Sequence, residues 1–247
     1  MAQIAQMDQI DQNTIKEMAG RAAVEALVKS GMKLGLGTGS TAITAVQYIG
    51  ALLAEGKLRD ILVVPTSFQT SIECEKWGIP LFTLNSREIG GALDLTIDGA
   101  DEVDPKNRLI KGGGGALLLE KIVAYASASY AIVVDESKLV ENLGIKFPVP
   151  VEVIPDARVP VTLALQKLGA EAALRNAVRK AGPVITDRGN LILDIRFKSP
   201  PDPSALEAGL NRIPGVVENG FFTGPHDRSL VPRVFIGKAG GTLEVRN

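Results

Sequence analysis

Cysteine and histidine are almost absent, with one of each, Cys74 and His226, in 247 residues. A single cysteine excludes an intrachain disulfide framework and any multi-cysteine zinc site, and it suits a reducing compartment. His226 lies in the Gly/Pro/Asp-rich stretch FFTGPHDRS, a composition expected of a surface loop. Ser-His-Asp catalysis and multi-histidine metal sites therefore have little to build on. Net charge is also lacking, because Lys+Arg 27 against Asp+Glu 28 leave -1. Without an extended basic footprint, nucleic acid and anionic membrane are disfavoured as main partners and a small ligand fits better. No apolar run reaches eighteen residues, and the opening MAQIAQMDQIDQNTIKEMAG has no basic region followed by an apolar core. We therefore expect a soluble, cytoplasmic protein.

What the chain has is 45% hydrophobic residues arranged in alternating helix-like and strand-like segments. TIKEMAGRAAVEALVKSG repeats its apolar positions at helical spacing, and KLGLGTGS reads as a short buried strand with a glycine turn. The same reading gives helix TAITAVQYIGALLAEG, strand ILVVPTS, helix FQTSIECEKWG, strand PLFTL, strand ALDLTIDGAD, strand RLIKG, helix ALLLEKIVAYASA and strand YAIVVDES. Such alternation predicts an α/β fold: a Rossmann-like, mostly parallel sheet with helices on both faces. Four prolines in KFPVPVEVIPDARVP mark a junction. Beyond it the order strand, helix, two antiparallel strands, helix, strand predicts a smaller ferredoxin-like α+β unit. The expected division is 1–148 with 224–247 for the first domain and 149–223 for the second, the two apolar runs of VPRVFIGKAGGTLEVRN returning to the first sheet.

Three glycine- or aspartate-rich motifs carry chemistry. In GLGTGSTA, residues 35–42, a glycine turn between strand and helix presents backbone N–H groups and a helix N-terminus to an anion, ordinarily phosphate. An ordinary tight turn with a Ser or Thr cap is the plain alternative. Residues 37–42 also fit a loose G-x-G-x-x-A dinucleotide pattern, but the second strand ends in Pro65, Thr66 and Ser67 rather than in the acidic residue that would hold a ribose hydroxyl. No Walker phosphate loop occurs.

In DLTIDGADEVDP, residues 94–105, a strand leads to Asp98, and Gly99 lets the chain turn so that Asp98 and Asp101 can face one crevice at the strand's carboxyl end. Carboxylates so close together are costly unless solvated, sharing a proton or meeting a cation. A divalent metal, a polyhydroxylated substrate or a solvated acidic turn would each account for them. A metal is poorly served, because the companion residues are Lys111 and glycines.

In KGGGGALLLE, residues 111–120, Lys111 ends a strand and four glycines cross to a helix. Four adjacent glycines lose much backbone entropy on folding, so a close approach to that backbone is expected. Their N–H groups form an oxyanion-binding surface. Glu120, among Leu117, Leu118, Leu119, Ile122 and Val123, should have its pKa raised towards neutrality, as suits a general base. Alternatively Glu120 and Lys121 mark a wet helix face. Together these parts suit proton transfer beside a carbonyl on a sugar phosphate.

GLGTGST, DGADEVDP, KGGGGALLLEK and VVDESKLV resemble type A ribose-5-phosphate isomerase in order and spacing over almost the whole chain. The resemblance implies an aldose-ketose isomerase of the non-oxidative pentose phosphate pathway, with no cofactor, no metal, and a homodimer or homotetramer as the assembly. It implies that Thr38, Gly39, Ser40 and Thr41 line the phosphate or substrate end. Asp98, Gly99, Ala100, Asp101, Lys111, Gly112, Gly113 and Gly114 would contact the sugar. Glu120 would be the acid/base, with Asp98 assisting ring opening and Lys111 stabilising the enediolate. Lys138 would pair with phosphate, although alone it reads as an exposed loop lysine, and Lys16 is a weaker phosphate candidate. Leu119 departs from the pattern, where a basic or polar residue is expected. A non-catalytic sugar-phosphate sensor and an acyl-CoA transferase are the competing readings.

Overall fold

The computed structural model describes residues 11–225 and 230–247. His226 lies outside the described residues. The elements, in chain order, are α1 (Gln12–Leu27), β1 (Lys33–Leu36), α2 (Ser40–Ala54), β2 (Leu62–Pro65), α3 (Phe68–Lys76), β3 (Leu93–Asp98), β4 (Glu102–Val103), β5 (Leu109–Ile110), α4 (Leu117–Tyr125) and β6 (Ser127–Asp135). There follow β7 (Val149–Val153), α5 (Arg158–Lys167), β8 (Ala170–Leu174), β9 (Leu191–Phe197), α6 (Pro203–Leu210), β10 (Val216–Asn219), β11 (Phe221–Phe222), β12 (Arg233–Gly237) and β13 (Leu243–Arg246). Local chemistry sets several starts. Asp11 accepts hydrogen bonds from the N–H groups of Asn13 and Thr14 to cap α1, Ser67 accepts from Thr70 N to cap α3, and Asp202 with Pro203 opens α6.

The main sheet has the order β13-β12-β6-β3-β1-β2, with every neighbouring pair parallel except the edge strand β13. Strand residues alternate between two cores, which is why these strands read as nearly continuous apolar runs. Leu34, Leu36, Ile97, Ala131, Val133 and Phe235 pack with Ala19, Ala23, Val46 and Ile49 from α1 and α2. Ile132, Val134, Val234 and Ile236 face the other way, against Ala124 of α4, Val103, Leu109 and Phe222. Each fully buried Leu, Ile or Phe contributes ~1.5–3 kcal/mol. Among the described residues no helix is long and apolar enough to cross a membrane.

The smaller sheet has the order β10-β7-β9-β8 and is antiparallel throughout. With α5 and α6 between its strands, this is the ferredoxin-like order expected from the sequence. Its core is Val149, Val151, Val153, Val161, Leu165, Leu193, Ile195 and Leu210.

Three sequence expectations differ from the structure. PLFTL is not a strand, because only Leu81 bridges to Val63 and the chain then turns at Thr83, whose N–H donates to Ser86 Oγ. RLIKG forms only the two-residue β5, which leaves the main sheet and pairs with β4 and β11 in a separate three-stranded sheet. The rest of VVENGFF divides between that sheet and the smaller domain's β10, because Gly220 separates the two.

Candidate active site

The chain leaves β1 for α2 and β2 on one side and then returns through β3 to β1's other flank, so the carboxyl ends of β1 and β3 bound a topological switch point. The turn after β1 supplies Thr38 to Thr41, the turn after β3 supplies Gly99 to Asp101, and the 3-10 turn Glu136–Lys138 after β6 supplies Lys138. A cleft of about 210 Å³ opens there, lined by Thr38, Gly39, Ser40, Thr41, Gly99, Ala100, Asp101, Lys111, Gly112, Gly113, Gly114, Glu120 and Lys138.

The end at Thr38–Thr41 suits an anion. Gly39, at φ 97, turns the chain into α2, whose first-turn N–H groups have no intrahelical acceptor. Lys16 Nζ reaches Ser40 Oγ at 3.1 Å, and Lys138 also lines the cleft. Thr38 is held by hydroxyls that the sequence reading did not single out: its Oγ1 lies 2.7 Å from Thr66 Oγ1 and donates to Ser67 Oγ at 2.7 Å, while Thr70 Oγ1 donates to the Gly37 carbonyl at 2.7 Å. The PTS end of β2, which spoke against a dinucleotide, was the available signal.

At the other end Lys111 is the hub. Its ammonium is 2.9 Å from Asp98 Oδ2, 3.5 Å from Glu120 Oε1 and 2.5 Å from the Gly99 carbonyl, and it stands 5.6 Å above the Phe222 ring. Burial works against this ammonium, but the Asp98 and Glu120 carboxylates outweigh it and its pKa lies above the ordinary lysine value. Burial raises Asp98 as well, opposed by Lys111. Glu120 is pushed up to about 8, first by burial and then by Asp98 and Asp101, with Lys111 opposing. Its Oε2 is buried without a hydrogen-bond partner. A carboxyl group on a cleft wall, close to neutrality in pKa and with one free oxygen, can take and return a proton.

Placement differs from expectation at Asp98. It does not share the crevice wall with Asp101; with no exposed surface it lies beneath, accepting hydrogen bonds from Gly99 N (2.7 Å) and Thr38 N (3.1 Å) behind Lys111. Asp101 does line the cleft, and accepts from Gly113 N at 2.7 Å. The remaining acidic residues of this stretch turn elsewhere: Glu102 accepts three N–H groups from Gly144, Lys146 and Phe147, and Asp104 pairs with Arg108 at 2.6 Å. These carboxylates thus have separate partners. Among the described residues no three His, Cys, Asp or Glu side chains converge as metal ligands would.

The glycine run meets two demands. Gly112 has φ +102, and a Cβ at Gly113 would fall 2.5 Å from Asp101 Oδ1. The wet-face alternative for α4 does not hold, since Glu120 and Lys121 are each 4% exposed. Lys121 binds Glu207 at 3.0 Å and Glu218 at 2.8 Å, tying α4 to α6 and β10. Leu119 faces away from the cleft into an apolar groove with Phe82 and Ile122.

The family model described as Ribose 5-phosphate isomerase A (phosphoriboisomerase A) matches residues 62–239. The ribose-5-phosphate isomerase A of Treponema denticola is 52% identical over 242 residues, 95% of this chain and 99% of that one. That of Thermosynechococcus vestitus is 52% identical over 224 residues, 91% of this chain and 93% of that one. The solved ribose 5-phosphate isomerase A from Methanocaldococcus jannaschii has a TM-score of 0.87 at 44% identity, covering 96% of this chain and 100% of its own. A D-ribose-5-phosphate isomerase in complex with phospho-erythronic acid has a TM-score of 0.88 at 39% identity, covering 96% and 100%. The chain belongs to the ribose 5-phosphate isomerase A family.

Proposed function

We infer that the protein interconverts D-ribose 5-phosphate and D-ribulose 5-phosphate through an enediolate. The observation that carries this reading is Glu120, a buried carboxyl with pKa about 8 and an unpartnered oxygen, set in one cleft with a helix N-terminus and Lys138. The phosphate sits against Ser40, Thr41 and Lys138, where the α2 dipole and an ammonium offset its charge. The sugar hydroxyls lie along Gly99 to Asp101. Glu120 removes the C2 proton of the open-chain aldose and delivers it to C1 while the hydroxyl proton passes from O2 to O1, which needs a base whose pKa lies near the working pH. Negative charge developing on the C1 and C2 oxygens meets Lys111 and the N–H groups of the glycine loop, which are already oriented before reaction. Asp98 acts through Lys111, fixing the ammonium as its buried counter-ion; any part it has in ring opening passes through that ammonium. No step of this route calls for a redox cofactor or a metal.

The related isomerase that holds phospho-erythronic acid supports a phosphorylated sugar acid or sugar as occupant. The reading extends to a cytoplasmic enzyme working as a homodimer or homotetramer, with residues 1–148 and 224–247 as the catalytic domain and 149–223 as the smaller one. The test is conversion of ribose 5-phosphate to ribulose 5-phosphate by the purified chain in excess chelator without nicotinamide. Conversion is expected; its absence from correctly folded protein overturns the reading.

A further inference from the structure

Arg175 stands outside the cleft, on the smaller domain, yet it grips the back of the glycine loop. It follows β8, and its backbone is fixed by Arg175 N donating to the Ile192 carbonyl (2.9 Å) and its own carbonyl accepting from Val184 N (2.9 Å). The guanidinium forks onto Asp194 of β9, Nε to Oδ2 at 2.9 Å and Nη2 to Oδ1 at 2.5 Å. Its remaining Nη1 donates to the carbonyls of Gly112 (2.9 Å) and Gly113 (3.1 Å). The two side chains are 14% and 21% exposed, so water competes weakly for these bonds.

A trans peptide directs its C=O and N–H to opposite sides. The Gly112 carbonyl shares a peptide with Gly113 N–H, which donates to Asp101, and the Gly113 carbonyl shares one with Gly114 N–H. Glycine peptides are otherwise the easiest in a chain to rotate. We propose that Arg175 is a positioning residue for the isomerisation, its Asp194-anchored guanidinium locking the two glycine peptides so that their N–H groups face Asp101 and the developing enediolate. A bidentate guanidinium can hold a carboxylate and two carbonyls at once; an ammonium cannot reproduce that geometry. The smaller domain thereby takes part in catalysis without touching substrate.

The inference rests on the isomerase reading, and wild-type turnover in the same assay separates the two: an inactive wild type refutes that reading, whereas a normal variant refutes only the role of Arg175. The variants are R175K, which keeps a charge, and R175A/D194A, which removes both partners and leaves no unpaired carboxylate. A displaced loop lowers kcat by about 10- to 100-fold in R175A/D194A and by less in R175K. Inhibition by inorganic phosphate, which reports the Ser40–Thr41 end that Arg175 does not reach, stays within about twofold of wild type, and KM changes less than kcat. A role confined to stability would instead lower the melting temperature and the folded fraction, read by circular dichroism, and leave kcat per folded molecule at the wild-type value. The proposal is overturned by kcat per folded molecule within about twofold of wild type in R175A/D194A, or by a loss of kcat that vanishes once the folded fraction is counted. R175K gives the same reading if the double variant does not fold.

Discussion

Glu120→Gln should stabilise the fold while abolishing turnover, and the stabilisation should depend on pH. The Glu120 carboxyl has a pKa of about 8 in the folded protein against an ordinary 4.5. Because it is harder to ionise in the fold than out of it, its contribution to stability is fully present below about 4.5 and is lost as pH rises through about 8. At roughly 1.4 kcal/mol per pH unit, that interval sets a ceiling of about 5 kcal/mol on what ionised Glu120 costs the fold. An amide of the same shape has no such cost. With ~2–4 °C per kcal/mol for a chain of this size, that ceiling corresponds to a variant melting up to ~10–20 °C above wild type at pH 8.5 and only slightly above it at pH 5. Thermal unfolding followed by circular dichroism at the two pH values reads the difference. An offset that is the same at both, or a variant less stable than wild type at pH 8.5, would refute the argument that burial holds this carboxyl near neutrality.

Three further outcomes follow from the same geometry. The pH profile of kcat/KM should rise with the ionisation of Glu120, through about 8, since the protonated form cannot act as base; a profile flat from pH 6 to about 9 would contradict this. Gly37→Ala would place a Cβ 1.9 Å from Asp98 Oδ1, so Asp98 must move and Lys111 with it; steady-state assays should show kcat lowered by at least ~10-fold. Lys121→Met leaves Glu207 and Glu218 facing each other without their ammonium, and chemical denaturation should show a loss of about 3–5 kcal/mol.

Much of this was legible in the sequence because the local signals agreed with the global fold. The 3.6-residue and near-continuous apolar patterns placed the helices and parallel strands, and the proline cluster separated a βαββαβ order that the smaller sheet reproduces. The cleft residues Thr38 to Thr41, Gly99 to Asp101 and Lys111 to Gly114 all follow strand ends, which is where glycine turns announce themselves. What the sequence could not convey is depth and direction. Asp98 and Asp101 are three positions apart and chemically alike, yet one is buried beneath Lys111 and the other lines the cleft. Lys121 reads as a solvent-facing lysine until α6 and β10 fold over it. Arg175 lies more than sixty residues from the glycine loop, and only the docking of the two sheets brings it there. PLFTL reads as a strand but is not one, because an apolar run of that length carries no record of whether a neighbour extends far enough to pair with it.

The central claim is that one buried carboxyl carries the proton between C1 and C2. It is tested most directly by proton NMR of ribose 5-phosphate in D2O with wild type and with Glu120→Gln. As ribulose 5-phosphate forms, wild type should remove the C2 hydrogen and place either that hydrogen or a solvent deuterium on C1, whereas the variant should bind substrate and leave the C2 hydrogen in place. Hydrogen loss from C2 at a rate near wild type in the variant would contradict the account.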